Sequence, residues 1–431
     1  MSAKFLLTVF AAAVALFSGA QAQTIAVMNG RVLTAGGAGL IEGGDVIIRN
    51  GVISAVGEDL QPPQGAQVID ASGKVVTPGL IAPFSTIGLK EISLDREGND
   101  AGPREGYPLS AALDALDAYN PASTLLDVNR AGGITRALSA PEPGDKLFGG
   151  QAAVIDLSGT AQSVTKPRAA QIAVLGYSGA ARSGDTRMGA MATMREYLDQ
   201  ALSYAADPRD YVRRQRAERF SISDLKALGP VVAGDQPLIV SAYRAADIRN
   251  VIRLKNEYRL KVILLGGSEA WEVAGDLAAA DIPVILDPLA NLPSGFEDMG
   301  ATLKNAARLH GAGVKIAFYN PPGFGAHNLR ALPQLAGNAV AAGLPYDAAI
   351  AALTINPAEM FGLGDRLGSI EVGKVADLVV WSGDPLELSS APDAVLIAGR
   401  ETSLENRQTR LRDRYKNLSR GDLPHAYRGE N

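Results

Sequence analysis

The sequence predicts an α/β fold in which a (β/α)8 barrel lies between two regions of short antiparallel β-structure, one near each end of the chain. Short apolar strands alternate with helical patterns through the middle of the chain, which is typical of βα units. Runs of β-branched residues separated by turn dipeptides occur near both ends. Because the βα pattern repeats over most of the chain, it favours a closed barrel over an open sheet.

The first β-structure is predicted between residues 24 and 77. The dipeptides Asn29-Gly30, Gly43-Gly44 and Asn50-Gly51 mark turns between short β-branched runs. These runs cover residues 25–27, 45–48 and 52–56, and similar runs return near the other end at 368–370, 376–381 and 394–399.

The barrel elements alternate between short apolar runs and longer stretches with helical spacing of apolar residues. The predicted strands are residues 79–89, 151–157, 171–175, 237–242, 261–265, 282–286 and 314–318. The predicted helices are residues 191–205, 245–257, 269–279, 300–312 and 331–343.

Composition limits the function classes. With 431 residues, 47% of them apolar, the chain can build a large core and exceeds a single barrel of about 250 residues. It has no cysteine, which excludes a disulfide framework and thiolate chemistry. Its net charge is −5 and it has no clustered basic face, so nucleic-acid binding is not expected.

Residues 1–22 predict a secretory signal peptide. Lys4 precedes an apolar run at residues 5–17, and small residues lead to the A-x-A pattern Ala20-Gln21-Ala22. The alternative is a membrane anchor, but the run is shorter than the roughly 20 residues that a bilayer span needs. We therefore expect cleavage near Ala22, a periplasmic or secreted mature chain, and no membrane span.

Two long segments frame the barrel region. The first, residues 68–81, reads VIDASGKVVTPGLI, and the second combines 353–359, LTINPAE, with 368–380, GSIEVGKVADLVV. They resemble the motifs through which members of the amidohydrolase superfamily, the imidazolonepropionase-like ones in particular, lead the chain from a β-sandwich into barrel strand 1 and back. The resemblance brackets nearly the whole mature chain.

This resemblance implies a distorted (β/α)8 TIM barrel at residues 78–364 and a small β-sandwich domain built from both chain ends, 23–77 plus 365–400. A charged C-terminal tail, 401–431, follows. The family hydrolyses C–N bonds such as amides, lactams and imides with one or two divalent metals, zinc or another. The metal lowers the pKa of a bound water and polarises the carbonyl, so imidazole and carboxylate ligands must converge at strand ends.

The metal ligands implied by the resemblance are missing. After the first segment the family pattern is Asp, a small residue, His, any residue and His, whereas this chain has Phe84 and Thr86 at the histidine positions. The strand-5 and strand-6 segments, 238–244 and 264–267, contain no histidine. Asn320, or a residue one position away, stands where the strand-8 aspartate is expected, and an amide cannot accept a proton from water.

The chain has three histidines in all, and no pair of them has metal-ligand spacing. His310 lies at a predicted helix end and His425 in the polar tail. His327 follows strand 8, on the face where barrel active sites lie. The strand-4 ligand position cannot be placed. The sequence therefore predicts no bound metal and no other cofactor.

Three residues are candidates for catalysis without a metal: Asp287, His327 and Tyr243. Asp287 ends an apolar strand and is the best remaining acid, although it could instead cap the turn before Pro288. Tyr243 could instead fill the space that the metal would occupy, as Phe84 could.

Three further residues are candidates for ligand binding: Arg244, Glu269 and Asn320. Arg244 could hold a carboxylate with both arms of its guanidinium, or form a salt bridge with Asp247 at the start of a helix. Glu269 could instead complement a helix dipole, because it stands at a predicted helix N-terminus.

Three functions are compatible with these observations. The first is a pseudoenzyme that binds a ligand or pairs with an active amidohydrolase homologue or with itself. The second is an active hydrolase of amide or other C–N bonds with a rewired, metal-independent site. The third is a periplasmic small-molecule binding protein, for which Arg244 is the one recommending residue.

Overall fold

The computed structural model describes residues 24–214, 220–321 and 326–416. The predicted signal peptide, its cleavage site near Ala22 and His425 lie outside the described residues. Within the described part of the chain, no helix is both long and apolar enough to cross a membrane.

The strands and helices are numbered here along the chain. The strands are β1 Thr24–Leu33, β2 Leu40–Arg49, β3 Val52–Glu58, β4 Gln67–Asp70, β5 Val75–Pro78, β6 Leu80–Ser85, β7 Ile134–Ser139, β8 Phe148–Asp156, β9 Val164–Val174, β10 Leu238–Ala242, β11 Val262–Gly266, β12 Val284–Leu286, β13 Ile316–Phe318, β14 Leu378–Trp381, β15 Pro392–Ile397 and β16 Arg400–Glu401. The α-helices are α1 Thr124–Arg130, α2 Gly176–Ala180, α3 Arg187–Ala206, α4 Pro208–Arg214, α5 Ile222–Val232, α6 Ala245–Tyr258, α7 Ala274–Ala279, α8 Asn305–Gly311, α9 Leu332–Ala341, α10 Tyr346–Leu353, α11 Ile355–Met360 and α12 Arg407–Lys416. Short 3-10 helices lie at Ala115–Asp117, Ala270–Val273 and Leu329–Ala331.

Both chain ends contribute to one eight-stranded sheet. Its order is β16-β15-β14-β5-β1-β2-β3, and β4 pairs with β1 beside β5. Strand β14 arrives from the C-terminal part of the chain and pairs antiparallel with β5, which joins the two ends. The β-structure predicted from both chain ends is confirmed. The domain limits assigned from the sequence stay predictions.

The second eight-stranded sheet forms the barrel, with β6 to β13 in sequence order. Strands β9 to β13 are parallel neighbours. Strand β8 runs antiparallel to both β7 and β9, so the expectation of a βα repeat is wrong for β7–β9. The connections at 140–147 and 157–163 are shorter than the dozen or so residues that a parallel crossover needs. In the described sheet β6 and β13 are the two edges, so the barrel is distorted and nearly closed.

Alternation along the barrel strands separates the interior from the face covered by helices. The interior side chains are mostly aliphatic: Ile81, Leu138, Val154, Ile172, Ile239, Ile263, Leu265, Ile285 and Ala317. Their neighbours on the same strands pack outward under the helices and include Leu80, Ile134, Phe148, Leu238, Val240, Val262, Leu264, Val284, Leu286, Ile316 and Phe318. The interior is therefore a packed core beneath any site at the strand ends.

A buried ion pair joins the barrel to the end sheet. Arg136 on β7 donates from Nε to Asp377 at 2.5 Å and from Nη2 to the same carboxylate at 3.3 Å. Asp377 immediately precedes β14 and also accepts the backbone N–H of Ala398 at 2.7 Å. The motif that returns the chain from the barrel is thus fixed to a barrel strand.

Candidate functional site

A cavity of about 410 Å³ lies at the carboxyl ends of β10 to β13. Its walls come from residues at or just after these strand ends and from the segment between β12 and α8. The polar and aromatic lining residues are Tyr243, Ser268, Asp287, Ser294, Glu297, Asp298 and Tyr319. TIM barrels carry their active sites at this end. This cavity, called the mouth cavity below, is therefore the candidate site.

Three aromatic side chains, Phe84, Tyr243 and Tyr319, form a cluster between the barrel interior and the mouth cavity. The rings of Phe84 and Tyr319 meet edge to face, with centroids 6.1 Å apart, and both pack against the aliphatic interior. Tyr319 and Tyr243 lie close enough that each phenol affects the pKa of the other. This aromatic cluster occupies the ends of β6, β10 and β13.

Phe84 reaches this cluster because of an irregularity in β6. The register with β7 shifts between Ala82 and Ser85, so that two residues of β6 stand opposite one of β7. Such a bulge changes which face the following side chain points to. Phe84 consequently packs into the interior together with Ile81, three residues earlier.

Gly266 makes room for Tyr243. Its φ is +93°, a conformation that favours glycine, and a Cβ on it would meet the Tyr243 ring at 2.5 Å. Gly266 belongs to the segment 264–267, in which the resemblance implied a histidine. The absence of a side chain at Gly266 leaves the space that the Tyr243 ring occupies.

Asp298 and Asp287 are held in the mouth cavity by neutral donors. Asp298 accepts the Ser268 hydroxyl at 2.8 Å and also the Ser294 hydroxyl. Asp287 accepts the backbone N–H of Leu289 at 2.9 Å. Within the described residues, neither carboxylate has an ion-pair partner within 4 Å.

Glu297 is the neutralised carboxylate of the mouth cavity. It pairs with Arg187 at 2.9 Å and accepts the backbone N–H of Tyr177 at 2.6 Å. Arg187 also contacts Asp247 on α6 at 3.0 Å. These contacts tie the segments after β9, β10 and β12 together around the cavity.

Burial sets the ionisation of the cavity residues. It raises the pKa of the Asp287 carboxyl, against a smaller opposite effect of the Leu289 backbone N–H. Burial also raises the pKa of Tyr243, and nearby Asp298 and Glu297 add to this. The pKa of Tyr319 is raised well above its usual value for the same main reason. Both phenols therefore remain neutral hydrogen-bonding groups at physiological pH.

We expect the free energy of unfolding of Asp287→Asn to depend less on pH than that of the wild type. The difference should appear as pH rises from the ordinary pKa of a carboxyl group. The folded carboxyl has the higher pKa, so the folded state binds more protons than the unfolded state and wild-type stability falls as pH rises through that window. Urea midpoints measured at several pH values would show this. Asp281→Asn is the matched control, because Asp281 is exposed and its φ of 48° suits asparagine. An unchanged slope in Asp287→Asn would contradict the assignment.

Of the sequence candidates, Tyr243 and Asp287 line the mouth cavity. Arg244 instead pairs with Asp247 at 3.0 and 3.1 Å, and it lines a separate groove between α3 and α6. Glu269 accepts the backbone N–H groups of Ala245 at 2.9 Å and Gly300 at 3.1 Å. Both residues therefore have structural contacts outside the cavity lining.

Tyr319, not Asn320, is the inward residue at the end of β13. Alternation from the interior residue Ala317 carries Tyr319 to the same face, so the sequence alignment slips by one position. Asn320 donates its amide to the backbone carbonyl of Asn328 at 3.1 Å. Thr86 and His327 are half-buried and lie outside the described lining.

The described residues do not fit the divalent metal that the resemblance implied. Nowhere in residues 24–214, 220–321 and 326–416 do three or more His, Cys, Asp or Glu side chains form a metal-binding group. The strand-4 position left open by the sequence also lacks a ligand, because alternation from Ile172 places Val174 there. His310, at the end of α8, is exposed and belongs to no metal-binding group among the described residues.

Sequence reasoning missed Ser268, Glu297, Asp298 and Tyr319. Strict two-residue alternation from Ala317 was the signal that could have found Tyr319. The segment around Glu297 and Asp298 has no periodicity, so its approach to the strand ends has no counterpart in the sequence pattern.

Comparisons with known proteins agree with this architecture. A family model described as "Amidohydrolase family" matches residues 292–405. Imidazolonepropionase of Acidiphilium cryptum (strain JF-5) is 27% identical over 393 residues, which cover 81% of this chain and 90% of that protein. The crystal structure of an amidohydrolase from Thermotoga maritima MSB8 has a TM-score of 0.79 and 29% identity, covering 88% of this chain and 99% of that one.

A longer relative is also similar. Amidohydrolase tasK of Hapsidospora irregularis is 24% identical over 392 residues, which cover 83% of this chain. The chain spans 39% of the length of that protein.

Proposed function

Because the chain belongs to the amidohydrolase superfamily, we propose that it is a pseudoenzyme of that superfamily, which keeps the barrel as a ligand-binding scaffold and lacks metal-dependent hydrolysis. The mouth cavity would hold the ligand. The A-x-A pattern ending at Ala22 supports an exported protein, and pairing with an active homologue or a second copy remains part of the proposal.

One observation carries the proposal: the aromatic cluster fills the strand ends where metal ligands would converge. Phe84 and Tyr319 contact each other and the aliphatic interior. Phenylalanine cannot ligate a metal, and burial keeps the phenols of Tyr243 and Tyr319 neutral. These side chains cannot hold the Lewis acid that hydrolysis by this superfamily needs, and the inward position at the end of β13 is a tyrosine in place of the expected carboxylate base.

The second candidate is a metal-independent hydrolase. It is favoured by the position of Asp287, whose raised pKa suits an acid–base group, in the same cavity as Tyr243. Amide hydrolysis that persists in chelator, is lost in Asp287→Asn and is kept in Asp281→Asn would favour this candidate over the pseudoenzyme.

We expect the mature protein to retain less than about a tenth of an equivalent of zinc after incubation with zinc and dialysis, because coordination needs deprotonated ligands in a preformed geometry. Elemental analysis measures this, with a zinc-binding protein treated in parallel as the positive control. A firm stoichiometric zinc, together with amide hydrolysis that chelator abolishes, would contradict the proposal.

A further inference from the structure

The proposed function makes the mouth cavity a ligand site, and the following inference rests on it by naming the ligand class. We propose that the mouth cavity binds a small organic cation, an ammonium or guanidinium group carried on an apolar body. Four features of the cavity support this: its charge, its aromatic walls, its apolar lip and its size.

The negative charge of the cavity is compensated only in part. Three carboxylates line it, and none of its described lining residues is Lys, Arg or His. Arg187 neutralises Glu297 from outside at 2.9 Å. Asp287 and Asp298 are partly buried and have no cationic partner among the described residues, and a positively charged group beside such carboxylates favours their ionised form. An anionic ligand would be repelled by the same pair.

The aromatic walls suit the same ligand. Tyr243 and Tyr319 line the cavity on the side of the barrel interior. A cation over the face of a tyrosine ring is attracted by its quadrupole, and the attraction grows when water is excluded. The edge-to-face contact between Phe84 and Tyr319 fixes one of these rings in place.

The lip of the cavity is apolar and exposed. Leu292 lines the cavity with 81% of its surface exposed, and Phe296, next to the cavity residue Glu297, is 89% exposed. Apolar side chains that line a small-molecule cavity contact the apolar part of its ligand. This feature is independent of the carboxylates, and it indicates an apolar body attached to the cationic group.

The size and the donor arrangement favour an organic cation over a metal ion. The volume of about 410 Å³ lies in the range of small-molecule sites, roughly 300–1,000 Å³. The carboxylates do not converge as a metal-binding group in the described residues. A ligand that spans several ångströms can reach Asp287 and Asp298 separately.

The test compares three probes of similar shape and different charge by calorimetry and thermal shift: phenethylammonium, 2-phenylethanol and 3-phenylpropionate. We expect phenethylammonium to bind saturably and the other two to bind at least about tenfold more weakly, because each removes or reverses the charge. Asp287→Asn and Asp298→Asn are expected to weaken phenethylammonium binding by about tenfold or more. Asp281→Asn, which removes a charge at an exposed turn, is expected to bind as the wild type does.

The outcomes separate this inference from the function it rests on. The cation inference is overturned if the alcohol or the carboxylate binds as tightly as the ammonium probe or more tightly, or if the ammonium probe shows no saturable binding. If the protein is also free of zinc, the pseudoenzyme proposal still stands. Stoichiometric zinc together with amide hydrolysis that chelator abolishes overturns the proposed function whatever the probes do. The comparison of probes on the unmodified protein decides the charge preference even where a variant fails to fold.

Discussion

Asp377→Ala is expected to lower the free energy of unfolding by about 3–5 kcal/mol, because removing one partner of a buried ion pair leaves the other charge uncompensated. The side chains of Arg136 and Asp377 are 6% and 7% exposed. Without Asp377, Arg136 keeps Asp156 at 3.9 Å and the Thr165 hydroxyl. Neither replaces the lost two-armed contact. Urea unfolding followed by circular dichroism measures the change.

The control is an ion pair of the same sheet at the surface. Asp393 pairs with Lys74 at 2.9 Å, with side chains 42% and 34% exposed, and Asp393→Ala is expected to cost less than about 1 kcal/mol. Replacing both buried partners, Arg136→Met with Asp377→Leu, should recover part of the loss, since an apolar pair leaves no buried charge. A loss in Asp377→Ala no larger than that of Asp393→Ala would show that the buried pair does not hold the junction.

The size of this effect follows from where the pair lies. Domains of ordinary size are stable by about 5–15 kcal/mol, so the expected loss is a large part of the total. Asp377 connects Arg136 on β7 with the backbone of Ala398, just after β15. Weakening it loosens the contact between the barrel and the sheet built from the chain ends.

Elements with a clean apolar pattern could be predicted closely from the sequence. The helix predicted at 245–257 is α6, Ala245–Tyr258, which ends at Arg259 in a left-handed conformation. Strand β7 was missed because Arg136 and Ser139 interrupt its apolar run, and both are buried through tertiary partners. The helix predicted from residue 300 begins at Asn305, because Gly300 is held outside the helix by Glu269 and Trp271.

The sequence could predict the residues of the candidate site that directly follow strands. It could not predict those that loops bring to the cavity. Tyr243 and Asp287 follow recognisable strands and line the mouth cavity. Asn320 was preferred to Tyr319, and an error of one residue exchanges the two faces of a strand. Glu297 and Asp298 come to the cavity through contacts with Arg187 and Ser268. Those contacts join distant parts of the chain and leave no local sequence pattern.

Tyr319→Ala is expected to lower the free energy of unfolding by about 3–5 kcal/mol, as truncation of a buried aromatic side chain does. Tyr319 is 4% exposed, meets Phe84 edge to face and packs on the interior core. Tyr319→Phe is the matched control, because it keeps the ring and removes only the hydroxyl beside Tyr243, at a cost of about 1 kcal/mol. Urea unfolding of the two variants beside the wild type gives both values.

The difference between these two variants tests whether the aromatic cluster is core or is a removable cover over a site. If Tyr319→Ala lowers the free energy of unfolding no more than Tyr319→Phe does, the ring contributes no packing energy. The strand ends could then open to admit a metal or substrate. If Tyr319→Ala lowers the free energy of unfolding several times more than Tyr319→Phe does, Tyr319 is part of the core at the position where the superfamily places a carboxylate. Replacing it by Asp would then add a buried charge to the lost packing. A carboxylate could then not be introduced at this position in one step without losing much of the stability of the barrel.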